Sequence, residues 1–203
     1  MQITKGIKNN AKAKASRDRV IDAASKLFGS KGFHATSMAE LIAESDVGAA
    51  QIYRIFLSKS DIVIAIVERR MNASLAVVND IFDSVRRGNL STFGAIKDMI
   101  AALLDDSEVD LVLEIMAESC RNPAVAEHLT SLTTVYRDGI RRLAVFAKPD
   151  SSLAELDAYV NLTFACFTGL LYRPVIKTTN EETSHNVACL LMRALGLADQ
   201  PLV

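Results

Sequence analysis

Helix-start signals recur along this chain so often that little room is left for strands. A serine or threonine followed three residues later by a carboxylate lets each residue satisfy the other's free N–H, and this closes the first turn of a helix. Ser37 with Glu40, Ser58 with Asp61, Ser152 with Glu155 and Thr179 with Glu182 have this spacing. Thr36 is an alternative cap beside Ser37, Ser91 opens a further helix, and Asn122 stands directly before Pro123, a proline suited to the first helical position. From Arg17 the apolar residues Val20, Ala24, Leu27 and Phe28 fall three or four apart, which predicts a first helix to about Lys31, ended at Gly29 or Gly32. A second runs from Ser37 to Glu44 or Ser45 on the face of Met38, Leu41 and Ile42. A turn through Asp46 and Val47 then leads into a very short third carrying Ala50, Ile52, Tyr53 and Phe56. The long fourth helix has Ile62, Ile66, Ala73, Val77, Ile81 and Val85 on one face, and Pro149 breaks the chain further on. About nine helices result, with no strand pattern and no repeat. Half of the 203 residues are apolar, and the chain has only 9 Gly and 4 Pro, as an all-α protein requires.

The net charge of −1 conceals a split. Residues 1–70 hold 12 Lys and Arg against 7 Asp and Glu, while residues 71–203 hold 11 against 17. A basic head on an acidic body suggests a polyanion as partner of the head. Residues 1–16, with Lys5, Lys8, Lys12 and Lys14 and almost no large apolar side chain, are expected to be a flexible basic arm. Cys120, Cys166 and Cys189 are far apart, so no disulfide framework or zinc site is expected, and reduced thiols fit a cytoplasmic protein. No signal peptide is legible, and the longest uncharged run, residues 158–172, is short of a membrane span. His34, His128 and His185 are scattered, and no nucleophile elbow, P-loop, zinc-protease or dinucleotide fingerprint occurs, so neither catalysis nor a cofactor is expected.

Two short helices joined by a tight turn, preceded by one helix and followed by a long one, form the layout of a helix-turn-helix head. The residues that fill this layout are Ala23-Ala24, Leu27-Phe28, Gly32-Phe33, Thr36-Ser37-Met38, Leu41-Ile42-Ala43, Val47, Ile52-Tyr53, Phe56 and Ser58-Lys59-Ser60-Asp61. From about Arg19 to Ile66 they closely resemble, without gaps, the N-terminal signature of the TetR family. The expected architecture is therefore a three-helix DNA-binding head (17–62) behind the arm, joined by the fourth helix to a C-terminal helical bundle (63–203) for ligand binding and dimerisation.

The resemblance also implies roles. Thr36 and Ser37 at the start of helix two, Gln51, Tyr53 and Arg54 on the recognition helix, and Lys59 at the start of helix four match positions of family DNA contacts. Hydroxyls and a lysine suit phosphate oxygens, whereas Gln51 can read adenine and Arg54 guanine in the major groove. Tyr53 also fits a partly buried core role. The stretch VGAAQIYRIF departs from the family, which commonly has Ser at Gly48, a polar or basic residue at Ala49, Gly at Ala50 and His at Ile55. Gly48, Ala49 and Ala50 leave a bare surface that can meet thymine methyls, so base readout rests on Gln51 and Arg54, with the basic arm adding phosphate or minor-groove contacts.

For the body the resemblance is weak beyond general layout, although the segment Glu114 to Leu129, with Glu118, Arg121, Asn122 and Pro123, looks like a stretch common in the family. Periodicity proposes a homodimer surface of Leu156, Val160, Phe164, Phe167 and Leu171 on one helix and Val187, Leu190, Leu191 and Ala194 on the last, with intramolecular core as the alternative for each. Phe82, Phe93, Met99, Leu103, Met116, Cys120 and Tyr136 are candidates to line an apolar cavity, and plain core is again the alternative. The expected function is a ligand-responsive repressor, cytoplasmic and nucleoid-associated, that binds a palindromic double-stranded operator as a homodimer and is released by a small hydrophobic or aromatic effector. A helical protein-interaction module that has lost specific DNA binding is the rival.

Overall fold

A computed structural model of the chain describes residues 2–104, 109–170 and 181–194. Among these residues it is all helical: α1 Gln2–Lys31, α2 Met38–Ser45, α3 Ala49–Ile55, α4 Lys59–Arg86, α5 Thr92–Leu104, α6 Val109–Ser119, α7 Pro123–Ala147, α8 Leu153–Leu170 and α9 Glu181–Ala194. None of these helices is long and apolar enough to cross a membrane. Contacts divide the chain into one unit of Met1–Arg70 with Glu108–Thr130 and a second of Met71–Ser107 with Ser131–Val203.

The helix starts lie where the capping residues put them. Ser37 Oγ accepts from Glu40 N at 3.2 Å while Glu40 Oε2 accepts from Ser37 N at 2.8 Å, and Ser152 and Glu155 repeat the arrangement at 3.3 and 2.8 Å. Asn122 Oδ1 accepts from the backbone of Ala124 at 3.2 Å, with Pro123 behind it as the first residue of α7. Thr179 lies outside the described residues.

Residues 2–16, expected as a flexible basic arm, form the first half of α1, which is helical in one piece to Lys31. Lack of core-forming side chains does not prevent helix where Ala and Lys recur and a packed helix follows to propagate from. On α4 the buried side chains are Ile62, Val63, Ala65, Ile66 and Val67 in the first unit and Val78 and Val85 in the second, whereas Ala73 and Val77 face solvent. Apolar spacing named an approximate face, but the packing partners rotate the buried stripe.

The first unit has its core in Val20, Ile21, Ala24, Leu27 and Phe28 of α1, Leu41 of α2, Ile52 of α3, Ile62 and Ile66 of α4, and Leu111 and Ile115 of α6, all buried. Phe28 and Phe33 stand edge to face, their ring centroids 5.2 Å apart. Gly32 ends α1 with φ +90, a conformation that a side chain would strain. The second unit has its core in Val85, Ala95, Ile96, Met99, Ile140, Leu143, Val160, Phe167 and Leu191.

Gly139 on α7 lies directly under Val78, so close that a Cβ added there would overlap Val78 Cγ1. Glycine normally costs a helix about 1 kcal/mol relative to alanine. Here the sign should reverse: Gly139→Ala is expected to destabilise by about 1–3 kcal/mol through overpacking. Urea unfolding measures the loss, and adding Val78→Ala should recover most of it.

Candidate nucleic-acid interface

The short α3 is positioned by what precedes it. Asp46 takes the left-handed conformation (φ 50) at the end of α2, which turns the chain sharply into Val47, and Val47 is buried. Gly48 is the N-cap of α3 and, without a side chain, offers no capping hydrogen bond. Ile52 is fully buried and Phe56 is 3% exposed, and these anchors fix the rotation of the helix. The opposite face, with Gly48, Ala49, Ala50, Tyr53 and Arg54, is exposed, and Gln51 is half-buried. Tyr53, for which sequence left open a core role, is 52% exposed and stands on this outer face. Arg54 Nη2 donates to Gln51 Oε1 at 2.6 Å, so the two side chains suited to reading bases are bonded to each other.

At the start of α2, Ser37 is exposed and caps the helix. The hydrogen bond from Lys31, helped by Ser37, holds the Glu40 carboxyl down to about 2, so the cap remains ionised. Thr36 is otherwise placed than expected: it is 1% exposed, and its hydroxyl donates to Gly32 O at 2.9 Å. Its side chain serves the turn and is not presented to solvent. Lys59 is also committed, because Nζ donates to Phe33 O at 2.6 Å and Thr36 O at 2.8 Å and stands 4.4 Å from the centre of the Phe33 ring. Burial pushes its pKa down, against the pull of the Glu118 charge.

With this geometry in view, residues 20–66 match the family model of bacterial regulatory proteins of the tetR family. Salmonella enterica GusR superposes with a TM-score of 0.70 at 26% identity, covering 90% of this chain and 94% of that one. The head at residues 20–66 is thus similar to that of bacterial regulatory proteins of the tetR family. The HTH-type transcriptional regulator UidR of Escherichia coli K12 is 29% identical over 119 residues, so the match spans 58% of the length of this curated relative and 58% of the chain. The transcriptional regulator FadR of Bacillus subtilis, solved in complex with stearoyl-CoA, superposes with a TM-score of 0.71 over 90% of this chain and 98% of that one; at 13% identity it shares the fold alone.

The residues expected to line an apolar cavity fall in different units. Met116 and Cys120 belong to the first unit, and Cys120 is exposed. In the second unit Phe82 and Phe93 pack on the core, and the Tyr136 hydroxyl is 2.7 Å from Ser74 Oγ. The side chain of Leu103 lies outside the described set. Of the seven, only Met99 lines the apolar cavity found between α5, α7 and α8, along with Ile96, Ile140, Tyr159, Thr163 and Phe167. This cavity has about 20 Å³ of accessible space, room for roughly one water. Its wall could have been found by tracing which apolar stripes of α5, α7 and α8 face one another, but sequence alone does not give that pairing.

The expected dimer stripe is also largely used within the chain. Leu156, Val160, Phe167 and Leu191 are buried in the single chain, and Phe164 and Val187 pack against the same core. Leu190 (54% exposed) and the exposed Ala194 stay free of that core, and Leu171 lies outside the described residues. A periodic stripe shows that a helix buries a face but not against which neighbour.

Proposed function

We propose that this chain is a ligand-responsive transcription regulator, most simply a repressor, which binds a palindromic operator as a homodimer and works in the cytoplasm on the nucleoid. The observation that carries this reading is the outward face of α3. A helix with one face rigidly buried presents Gln51, Tyr53 and Arg54 beside small residues, leaving space for base edges. The exposed Ser37 at the N-terminus of α2 suits a phosphate. In this reading the head is 17–62, the basic half of α1 adds phosphate contacts, and 63–203 binds effector and partner copy.

For the partner surface, α8 is apolar around most of its circumference, and such a helix is buried on both sides. Its inner side faces its own core, while Ala158, Leu162, Ala165 and Gly169, spaced four, three and four apart, face solvent. We assign the two-fold interface to this outer face, together with Leu190 and Ala194 of α9, as a four-helix bundle.

The effector site is proposed at the cavity between α5, α7 and α8. Its wall is apolar with the hydroxyl-bearing Thr92, Tyr159 and Thr163, which favours a hydrophobic or aromatic effector held by few polar groups. A drug-sized pocket needs about 300 Å³ or more, so the described conformation is closed, and an effector must part these helices to enter. It would shift DNA affinity by as much as it prefers the opened state.

The test is selection of operator from random double-stranded DNA, followed by binding at several salt concentrations. A palindromic consensus bound with a steep salt dependence is expected. Arg54→Ala and Gln51→Ala should each relax the consensus at particular positions and lower discrimination by about 1–3 kcal/mol. Failure to select any sequence would sink the reading and favour a module for binding proteins.

A further inference from the structure

The turn between α1 and α2 is gripped by side chains that reading bases does not use. From α6, Glu114 Oε2 accepts the backbone N–H of Phe33 at 3.0 Å. One helical turn on, Glu118 Oε2 lies 3.2 Å from His34 Nε2 and 3.9 Å from Arg121 Nη2, yet it receives no aligned hydrogen bond although Glu118 is only 6% exposed. Glu118 Oε1 accepts from Asn122 Nδ2 at 3.4 Å, and the same nitrogen donates to Ser60 Oγ at 3.0 Å. From α4, Lys59 holds the other side of the turn through the carbonyls of Phe33 and Thr36. Gly32 supplies the left-handed backbone (φ +90) that starts this turn, with the Glu114 carboxylate beside it.

Burying a carboxylate with one oxygen poorly satisfied is unfavourable unless the charge is needed where it sits. Glu114 and Glu118 are four apart, so one face of α6 carries both. Resting on the reading that the head binds DNA, we propose that Glu114, Glu118 and Lys59 are positioning residues: a latch that fixes the 32–36 turn, and with it α2 and α3, to α6. Lys59 then acts on recognition through the turn and not as a phosphate contact. Any displacement of α6 takes both carboxylates from the turn at once, so the head is held by a helix that lies far beyond it in sequence.

The latch and a phosphate contact differ in what they do to salt dependence. Removing a phosphate contact lowers the slope of log K against log salt by about one, whereas removing a positioning group lowers affinity at every salt concentration and leaves the slope alone. The experiment uses the full chain with Lys59→Ala, Glu114→Ala and Glu118→Gln, reading hydrogen exchange at residues 32–38 without DNA and binding to a fragment selected by the wild type. All three variants should exchange about tenfold faster in this turn and bind about tenfold more weakly with an unchanged slope. If Glu114→Ala does not fold, as judged by its helical circular dichroism, Glu114→Gln reads the same exchange. A reduced slope in Lys59→Ala with normal exchange would overturn the proposal, as would normal exchange in the glutamate variants. Should the wild type select no DNA, the functional reading fails, and exchange alone still decides the latch.

Discussion

Phe28→Ala is expected to cost about 3–5 kcal/mol, a large fraction of the roughly 5–15 kcal/mol that holds most domains folded. Phe28 is 1% exposed and sits where α1, the 32–36 turn and α2 meet, with its ring against the edge of Phe33. The cavity left by its loss would be lined by Phe33 and by helices that cannot close on it, because Gly32 and the capped α2 fix the chain on both sides. Urea unfolding followed by circular dichroism gives the size of the loss. Hydrogen exchange should locate it in α1 to α3, with the second unit protected as before. A loss below about 1 kcal/mol would mean that this core is much looser than its burial implies.

Ala165→Glu should have the larger effect on assembly. Ala165 is exposed in the single chain, so the substitution leaves each subunit's core untouched. In a two-fold bundle, however, each change occurs twice and brings two carboxylates into an apolar seam, where unpaired charge is costly by several kcal/mol. The variant should sediment as a monomer with unchanged helical content. Its operator affinity should fall by about 100-fold or more, because the second head no longer binds at the high effective concentration that the first provides. A variant that remains dimeric would move the interface away from α8.

Sequence and structure agree where the physics is local. A capping box is decided within four residues, and Ser37, Ser152 and Asn122 open helices where their spacing says they must. The head was legible for the same reason together with a continuous family signature. The unread parts depend on contacts distant in the chain. Thr36 and Lys59 have the chemistry of phosphate ligands, but their donors are taken by carbonyls in the turn, and no local pattern reports that. Glu114 and Glu118 reach that turn from about 80 residues away, the separation between Phe33 and Glu114 being 81. On α8 periodicity found the apolar stripe, and only the fold reveals that Val160 and Phe167 point inward while Leu162 and Ala165 point out.

The hydrogen bond between Arg54 and Gln51 bears on how such a head would search a genome. Along unrelated sequence the bond restrains both side chains, one guanidinium N–H and the amide oxygen being taken while the remaining N–H groups of each stay available. Separating the pair costs about 1 kcal/mol, recovered where neighbouring base pairs supply partners for both, so truncating one side chain should leave the other less restrained at wrong addresses.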